Sequence, residues 1–269
     1  MIDKQKHRNE FRLRILLTNK CDKNCDNCLN DFQNKGSNFI DPYFTKKHID
    51  EYVQLCKDKE IQPIISLSGG EPGLHKEFAK IYHFASRSGA RVQINTNGLI
   101  DSHVFDSYGP DIRYHMGHEL RNTVVPGQTA VIVVSESYSY EETKAFIKIF
   151  HDGGMKIKTF ADYYSSENFR VTVYPKMLLK LSECFSLNGR HTGVQENRGS
   201  GCTGCNKDCV TLKALWLFPN NTSNYCPQMD KTVNISVEEA YYKHLVDNAD
   251  SPMFSSLVWN GLSEFHQRD

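Results

Sequence analysis

The chain is 269 residues long, and its 32 Lys and Arg balance its 32 Asp and Glu, giving a formal charge of zero at pH 7. Without a strong positive field, nucleic acid and anionic membrane surfaces are poor partners, and at this length a sizeable core forms without disulfides. The nine cysteines are odd in number, so they cannot all pair within the chain, and the charged start MIDKQKHRNE lacks the apolar core of a secretion signal. No apolar run reaches the length that spans a bilayer. We therefore expect a cytoplasmic protein whose reduced thiols serve metal. In that setting the glycosylation match Asn234-Ile235-Ser236 is a chance occurrence.

Strand and helix patterns alternate through the first part of the chain. Phe11 to Thr18 (FRLRILLT) reads as a first strand. Ile49, Tyr52, Val53 and Cys56 fall at i, i+3, i+4, i+7, the spacing of one buried helical stripe, which makes Cys56 a core residue. Ile61 to Ser68 is a second strand. Phe78, Ile81, Tyr82 and Ala85 repeat the helical spacing, and Gly89 supplies a C-cap before a third strand, Arg91 to Thr96. Asp111 to His118 and Thr129 to Ser137 are both extended, joined by a link too short and polar for a full crossover helix. Ser139 to Gly154 restores a helix with Phe146, Ile149 and Phe150 on one side and Gly153-Gly154 at its end, and Met155 to Tyr164 supplies a sixth strand. Six strands with mostly helical crossovers predict an α/β fold, a partial (β/α)6 TIM-like barrel of parallel strands over residues 1–165. After about Ser165 the alternation gives way to loop-rich sequence. We expect a small Cys-rich auxiliary domain over 166–230 and a helical extension over 231–269, its helix running from Ser236 to Ala249.

Three cysteines, Cys21, Cys25 and Cys28, follow the first strand with the spacing CxxxCxxC. A loop at the carboxyl end of a strand is where open α/β and barrel folds place their chemistry. Three thiolates leave one iron of a cubane cluster without a protein ligand; the other reading is a zinc site completed by a distant residue. The second strand runs into SGGEPG, with Gly69, Gly70, Glu71 and Pro72, and the third ends in NTNG, with Thr96 and Asn97. Alone, each of these is also an ordinary turn or strand exit.

Together, in this order on three successive strand ends, the motifs resemble the radical S-adenosylmethionine (radical SAM) superfamily, over the segment from Phe11 to about Ser165. The resemblance implies that Cys21, Cys25 and Cys28 hold a [4Fe-4S] cluster whose open iron chelates the methionine moiety of S-adenosylmethionine. It implies that Gly69, Gly70, Glu71 and Pro72 line that moiety: the glycines by allowing close backbone approach, Glu71 by accepting from the ammonium, Pro72 by fixing the turn. Thr96 and Asn97 resemble the family's third-strand residues near the ribose and carboxylate. The residue before the third cysteine, usually aromatic in the family, is Asn27, and this departs from the adenine site. The activity implied is reductive cleavage of S-adenosylmethionine to a 5′-deoxyadenosyl radical, which abstracts hydrogen from a small-molecule or peptide substrate. The electron would come from a reduced flavodoxin or ferredoxin. The cofactor carries this chemistry, so an acid or base is not dictated. Glu136, Asp162, Tyr163, His115 and His118 point by position towards the barrel mouth, as substrate residues or as structural polar residues.

A second group, Cys202, Cys205 and Cys209 with Cys226, has four thiolates for a second [4Fe-4S] cluster or a zinc site. It resembles the auxiliary-cluster domains of the SPASM and twitch type, without the full SPASM spacing. Cys184 is an alternative ligand. The polar stretch HTGVQENRG, with His191, Gln195, Glu196 and Arg198, is either a channel lining or a solvated loop. Two other functions stand beside radical chemistry: a zinc-dependent hydrolase, which would leave GGEP without a role, and a non-catalytic metal-binding scaffold of the same fold.

Overall fold

One eight-stranded sheet organises the computed structural model, which describes residues 11–23, 25, 28, 36–100, 111–116, 124–162, 165–185, 214–225 and 234–242. Strands β1 (Arg12–Leu16), β2 (Ile64–Ser68), β3 (Arg91–Thr96), β4 (Asp111–Met116), β5 (Thr129–Val134) and β6 (Lys156–Ala161) lie side by side in chain order, each parallel to the next. These are the six strands expected, and the sheet stays open as a partial barrel. On the far side of β1, β7 (Ala214–Phe218) adds in parallel, and β8 (Thr222–Asn224) folds back antiparallel to it. The apolar run that follows the second cysteine group thus builds on the edge of the barrel sheet itself.

Helices α1 (Pro42–Asp58) and α2 (Phe78–Arg87) cross over between β1, β2 and β3. Asp41 caps α1, its Oδ1 accepting from the backbone N–H groups of Tyr43 and Phe44 at 2.9 and 2.7 Å. The two buried stripes follow the expected spacing: Ile49, Tyr52 and Cys56 on α1, with Val53 half-buried, and Phe78, Ile81, Tyr82 and Ala85 on α2. Gly89, just past the Ser88 C-cap, has φ +82°, the left-handed conformation in which glycine is strain-free.

Helix α3 (Tyr140–Asp152) begins at a capping box, Ser139 with Glu142. Its inward stripe is Thr143, Phe146, Ile147 and Phe150, whereas Ile149 is 40% exposed. Phe146 and Phe150 face inward as expected, but the third member differs: i, i+3, i+4, i+7 from Thr143 includes Ile147 and turns Ile149 outward. A larger correction concerns residues after Ser165. A π-helical turn, Phe169–Val173, leads there into helix α4 (Tyr174–Cys184). Its β-branched lead-in and Pro175 argue against helix on propensity. Pro175 falls in the first turn, where no N–H is needed, and burial of Tyr174, Met177, Leu178 and Leu181 outweighs the rest.

The strands alternate between two faces. Leu13, Ile15, Ile65, Leu67, Val92 and Ile94 pack on α1 and α2 in one apolar cluster, which Ile235, Val237, Ala240 and Tyr241 complete from the C-terminal side. Residues 237–242 are helical, as expected for part of the extension. The Phe11 and Tyr241 rings stand 5.5 Å apart, edge to face. Ile112, Tyr114, Ala130, Ile132 and Ile157 form the second cluster with α3 and α4. The buried Tyr52 hydroxyl binds the first half together, donating to the Phe11 carbonyl at 2.7 Å and accepting from the Ile64 N–H at 3.0 Å.

Candidate active site

The loops after β1, β2 and β3 are tied to one another at the carboxyl edge of the sheet. Pairing of β1 with β2 continues past both strands: Leu17 N–H donates to the Ser68 carbonyl (2.8 Å), Gly70 N–H to Thr18 (2.6 Å) and Glu71 N–H to Lys20 (2.9 Å). The GGEP loop is thereby zipped along the approach to Cys21. Only glycine fits this contact: a Cβ on Gly69, at φ +139°, would stand 2.5 Å from the Thr18 oxygen, and one on Gly70 would stand 2.1 Å from the Lys20 oxygen. The close approach expected of these glycines is, among the described residues, to the backbone of the cysteine loop.

Glu71 is fully buried. Its Oε1 accepts from Gly73 N–H at 3.0 Å and Thr96 Oγ1 at 2.8 Å, and its Oε2 from Asn97 N–H at 2.7 Å. Burial pushes the carboxyl up from its ordinary range, these three donors oppose that, and the nearby Asp22 charge adds to it. Asn97 closes the circle: its Nδ2 donates to Asp22 Oδ1 at 2.7 Å and stands 3.8 Å from Cys21 Sγ. Its Oδ1 is buried with no hydrogen-bond partner in the described structure. Pro72 opens a short 3-10 turn, Pro72–Leu74, capped by Glu71.

Cys21 and Cys28 are half-buried and Cys25 is exposed, none of them in a disulfide. Burial raises the Cys21 thiol, and Asp22, Glu71 and Cys28 raise it further. As they lie, no three His, Cys, Asp or Glu side chains among the described residues form a metal-holding group.

Of the other expected residues, Glu136 is exposed, and its Oε2 accepts from Ser166 Oγ at 2.6 Å while its N–H donates to Ser165 Oγ at 3.1 Å, a brace for the turn after β6. Asp162 is buried, its N–H donating to the Val134 carbonyl at 2.8 Å. His115 faces the inside of the sheet beside Asn95, Nε2 to Oδ1 3.4 Å. It presents surface to that interior, yet the strands hem it in. Lost hydration, with Lys158 and Arg113 alongside, takes the imidazole down to about 4. Cys184, at the end of α4, is exposed, 3.8 Å from the Tyr140 hydroxyl. Asn27, His118, Tyr163, the stretch from His191 to Arg198, and Cys202, Cys205, Cys209 and Cys226 lie outside the described residues.

Three strand-end loops joined around one buried carboxylate, with three thiols at their rim, match a known pattern. The sequence pattern of the radical SAM superfamily matches residues 15–170, more than half of the chain. The chain belongs to the radical SAM superfamily. As a radical SAM protein it is an enzyme, and the family implies a [4Fe-4S] cluster and S-adenosylmethionine. Over 90 residues it is 30% identical to the S-adenosylmethionine-dependent nucleotide dehydratase of Selenomonas ruminantium, a match covering 34% of this chain and 31% of that one. Its fold resembles the crystal structure of Streptococcus suis SuiB bound to S-adenosylmethionine (TM-score 0.54, 14% identity, 93% of this chain and 67% of that one). SuiB bound to its precursor peptide SuiA superposes similarly (0.52, 17%, 94% and 68%). No described helix is long and apolar enough to cross a membrane.

The residues present fit the two groups. Cys21, Cys25 and Cys28 would hold the cluster, and a bound cation reverses the upward push on Cys21. The carboxylates of Glu71 and Asp22 with the unpartnered Asn97 Oδ1 gather acceptors beside Cys21, a donor set whose charge would suit the cofactor's ammonium and sulfonium. Sequence reading missed Asp22, and also the cations on the inner face of the sheet. The signal for the latter was the alternation of charge with apolar residues in RLRIL, DIRYHM and KIKTFA.

Proposed function

We propose that this enzyme abstracts hydrogen from a small-molecule or peptide substrate, using Cys21, Cys25 and Cys28 for the cluster, Glu71 for the methionine ammonium, and Thr96 and Asn97 near the ribose and carboxylate of the cofactor. When bound, the cluster and S-adenosylmethionine supply reductive carbon–sulfur cleavage and the 5′-deoxyadenosyl radical. The protein's share is to bind, orient and exclude water. The observation that carries this reading is the buried Glu71 carboxylate, which accepts from both the GGEP and NTNG loops, while Asn97 reaches across to Asp22 beside Cys21. That lock fixes three loops from distant parts of the chain against one another, the preorganisation that a radical reaction requires.

Cys202, Cys205, Cys209 and Cys226 hold, in this proposal, a second fully protein-ligated [4Fe-4S] cluster that relays electrons or staples an auxiliary domain within 166–230, with Cys184 outside its ligand set. Reduced flavodoxin or ferredoxin donates the electron. Anaerobic reconstitution with iron and sulfide tests both parts: about eight irons per chain and formation of 5′-deoxyadenosine under dithionite are expected. Bound zinc with no cofactor cleavage would instead support the hydrolase reading, and four irons would remove the second cluster. Changing Cys226 to Ser should lose the second cluster's signal; its persistence would transfer that role to Cys184.

A further inference from the structure

The inner face of the sheet carries a concentration of positive charge that hydrogen abstraction does not require. Arg12 and Arg14 on β1 flank Leu13, Arg113 on β4 sits between Ile112 and Tyr114, and Lys158 on β6 sits between Ile157 and Thr159. In each case the neighbours pack on the outer helices or on the cores beneath them, so alternation turns the cations inward. Arg91 joins them on β3. Asp111 is the sole acid in any of the eight described strands. It already receives Arg113 at 3.0 Å and Arg91 at 3.2 Å. Arg113 is nearly buried, its side chain 12% exposed, and its Nε has no hydrogen-bond partner in the described structure.

These charges feel one another. Burial, followed by Arg113, Arg14 and Arg12, pushes the Lys158 ammonium down to about 7. Like charges gathered on a half-desolvated surface oppose folding, and such clusters characteristically mark sites for an opposite charge.

We propose that the substrate carries a phosphoryl or polyphosphoryl group and that this group seats on the inner face of the sheet against Arg14, Arg113 and Lys158. The inference rests on the radical SAM reading above and names the substrate class of that same site. The donor chemistry favours phosphate: two guanidinium forks with an ammonium suit phosphate oxygens, and the buried Arg113 Nε has no hydrogen-bond partner in the described structure. The Arg14 guanidinium lies over the Trp216 ring, 4.9 Å from its centroid, which fixes its plane. Leu16, Ala214, Trp216 and Phe218 form a buried apolar wall on that flank. The vertical order is also right. Arg113 pairs in register with Asn95, and Asn97 lies two residues further on, just past the end of β3, about 7 Å of extended chain. A phosphate held at Arg113 therefore leaves the rest of a small molecule extending towards the cysteine loop.

The test is binding of inorganic tripolyphosphate to the anaerobically reconstituted full chain, followed by calorimetry and thermal melting at constant ionic strength. We expect tripolyphosphate to raise the melting temperature, monophosphate to do so less, and acetate not at all. Lys158→Met and Arg14→Gln should each weaken tripolyphosphate at least tenfold, while Lys158→Arg, which keeps the charge, should retain it; melting without ligand verifies that each variant is folded. Wild-type protein that ignores tripolyphosphate, or neutral variants that bind it as tightly as wild type, would overturn the proposal. Formation of 5′-deoxyadenosine by the wild-type enzyme without added anion is measured in parallel. Its absence would sink the radical reading, whereas its presence without anion binding would sink only this inference.

Discussion

The two faces of the one sheet obey different rules. On the outer face strands β1 to β7 present Leu, Ile, Val or Tyr to the outer cores, and the buried side chains there form two continuous clusters. On the inner face the same strands present Arg14, Ser66, Gln93, Asn95, Arg113, His115 and Lys158, linked by hydrogen bonds such as Asn95 Nδ2 to Ser66 Oγ at 2.9 Å. A closed (β/α)8 barrel fills its interior with apolar layers. An open one need not, and the polar interior here is free to serve binding. The outer face holds the fold, and in the proposed function the inner face with its loops does the chemistry, so substitutions on the two should separate stability from activity.

The sharpest separation is expected at Cys25, which is exposed. Cys25→Ala should abolish 5′-deoxyadenosine formation and deplete the first cluster's iron while leaving the melting temperature of the apo chain unchanged; residual turnover under strong reductant would undo the ligand assignment. On the outer face, Phe150→Ala, which empties a fully buried site against Phe146, should cost about 3–5 kcal/mol in denaturant unfolding. A loss below about 1 kcal/mol would mean that the second cluster is loosely packed. Glu71 lies where the two faces meet. Replacing it with Gln removes one acceptor oxygen from a site with three donors, so about 1–3 kcal/mol of stability and part of the cofactor affinity should go while iron content stays. Unchanged affinity by calorimetry would make the GGEP turn a purely structural lock.

The smallest effect is a slope. The Lys158 ammonium titrates at about 7 in the folded chain and at 10.5 when unperturbed. Between those values the folded state binds fewer protons than the unfolded state, so stability rises with pH across that window. Above about 9 the buried Cys56 thiol, raised from 9.0 to about 11, contributes the opposite slope and offsets the rise. Lys158→Met should therefore flatten the rise in melting temperature between pH about 7 and about 9. An identical slope in both proteins would show that the ammonium is solvated and that the inner face is less crowded than its geometry implies.

Much of this was legible in the sequence. The stripes of α1 and α2 are local, since 3.6-residue periodicity is decided by adjacent turns, and the three motifs sit at strand ends because strand and loop signals are local too. The same logic failed wherever packing outvoted propensity. Helix α4 forms through a β-branched entry because Tyr174 reaches Thr159, Oγ1 to hydroxyl 2.8 Å, across the barrel wall. Ile147 rather than Ile149 turns inward because the frame of α3 is set by Ser139, its cap.

What the sequence alone determined is the chemistry: three thiols at CxxxCxxC spacing, GGEP and NTNG, and the order of strands that puts all three at one edge of a parallel sheet. What only the tertiary structure decided is which distant groups meet. No local pattern pairs β7 with β1, gives Gly70 the Lys20 carbonyl as the reason it must be glycine, hands Glu71 three donors from two loops, or gathers Arg14, Arg113 and Lys158 on one face. Those contacts join residues far apart in the chain, and their energies exist only after the sheet has formed and brought them together.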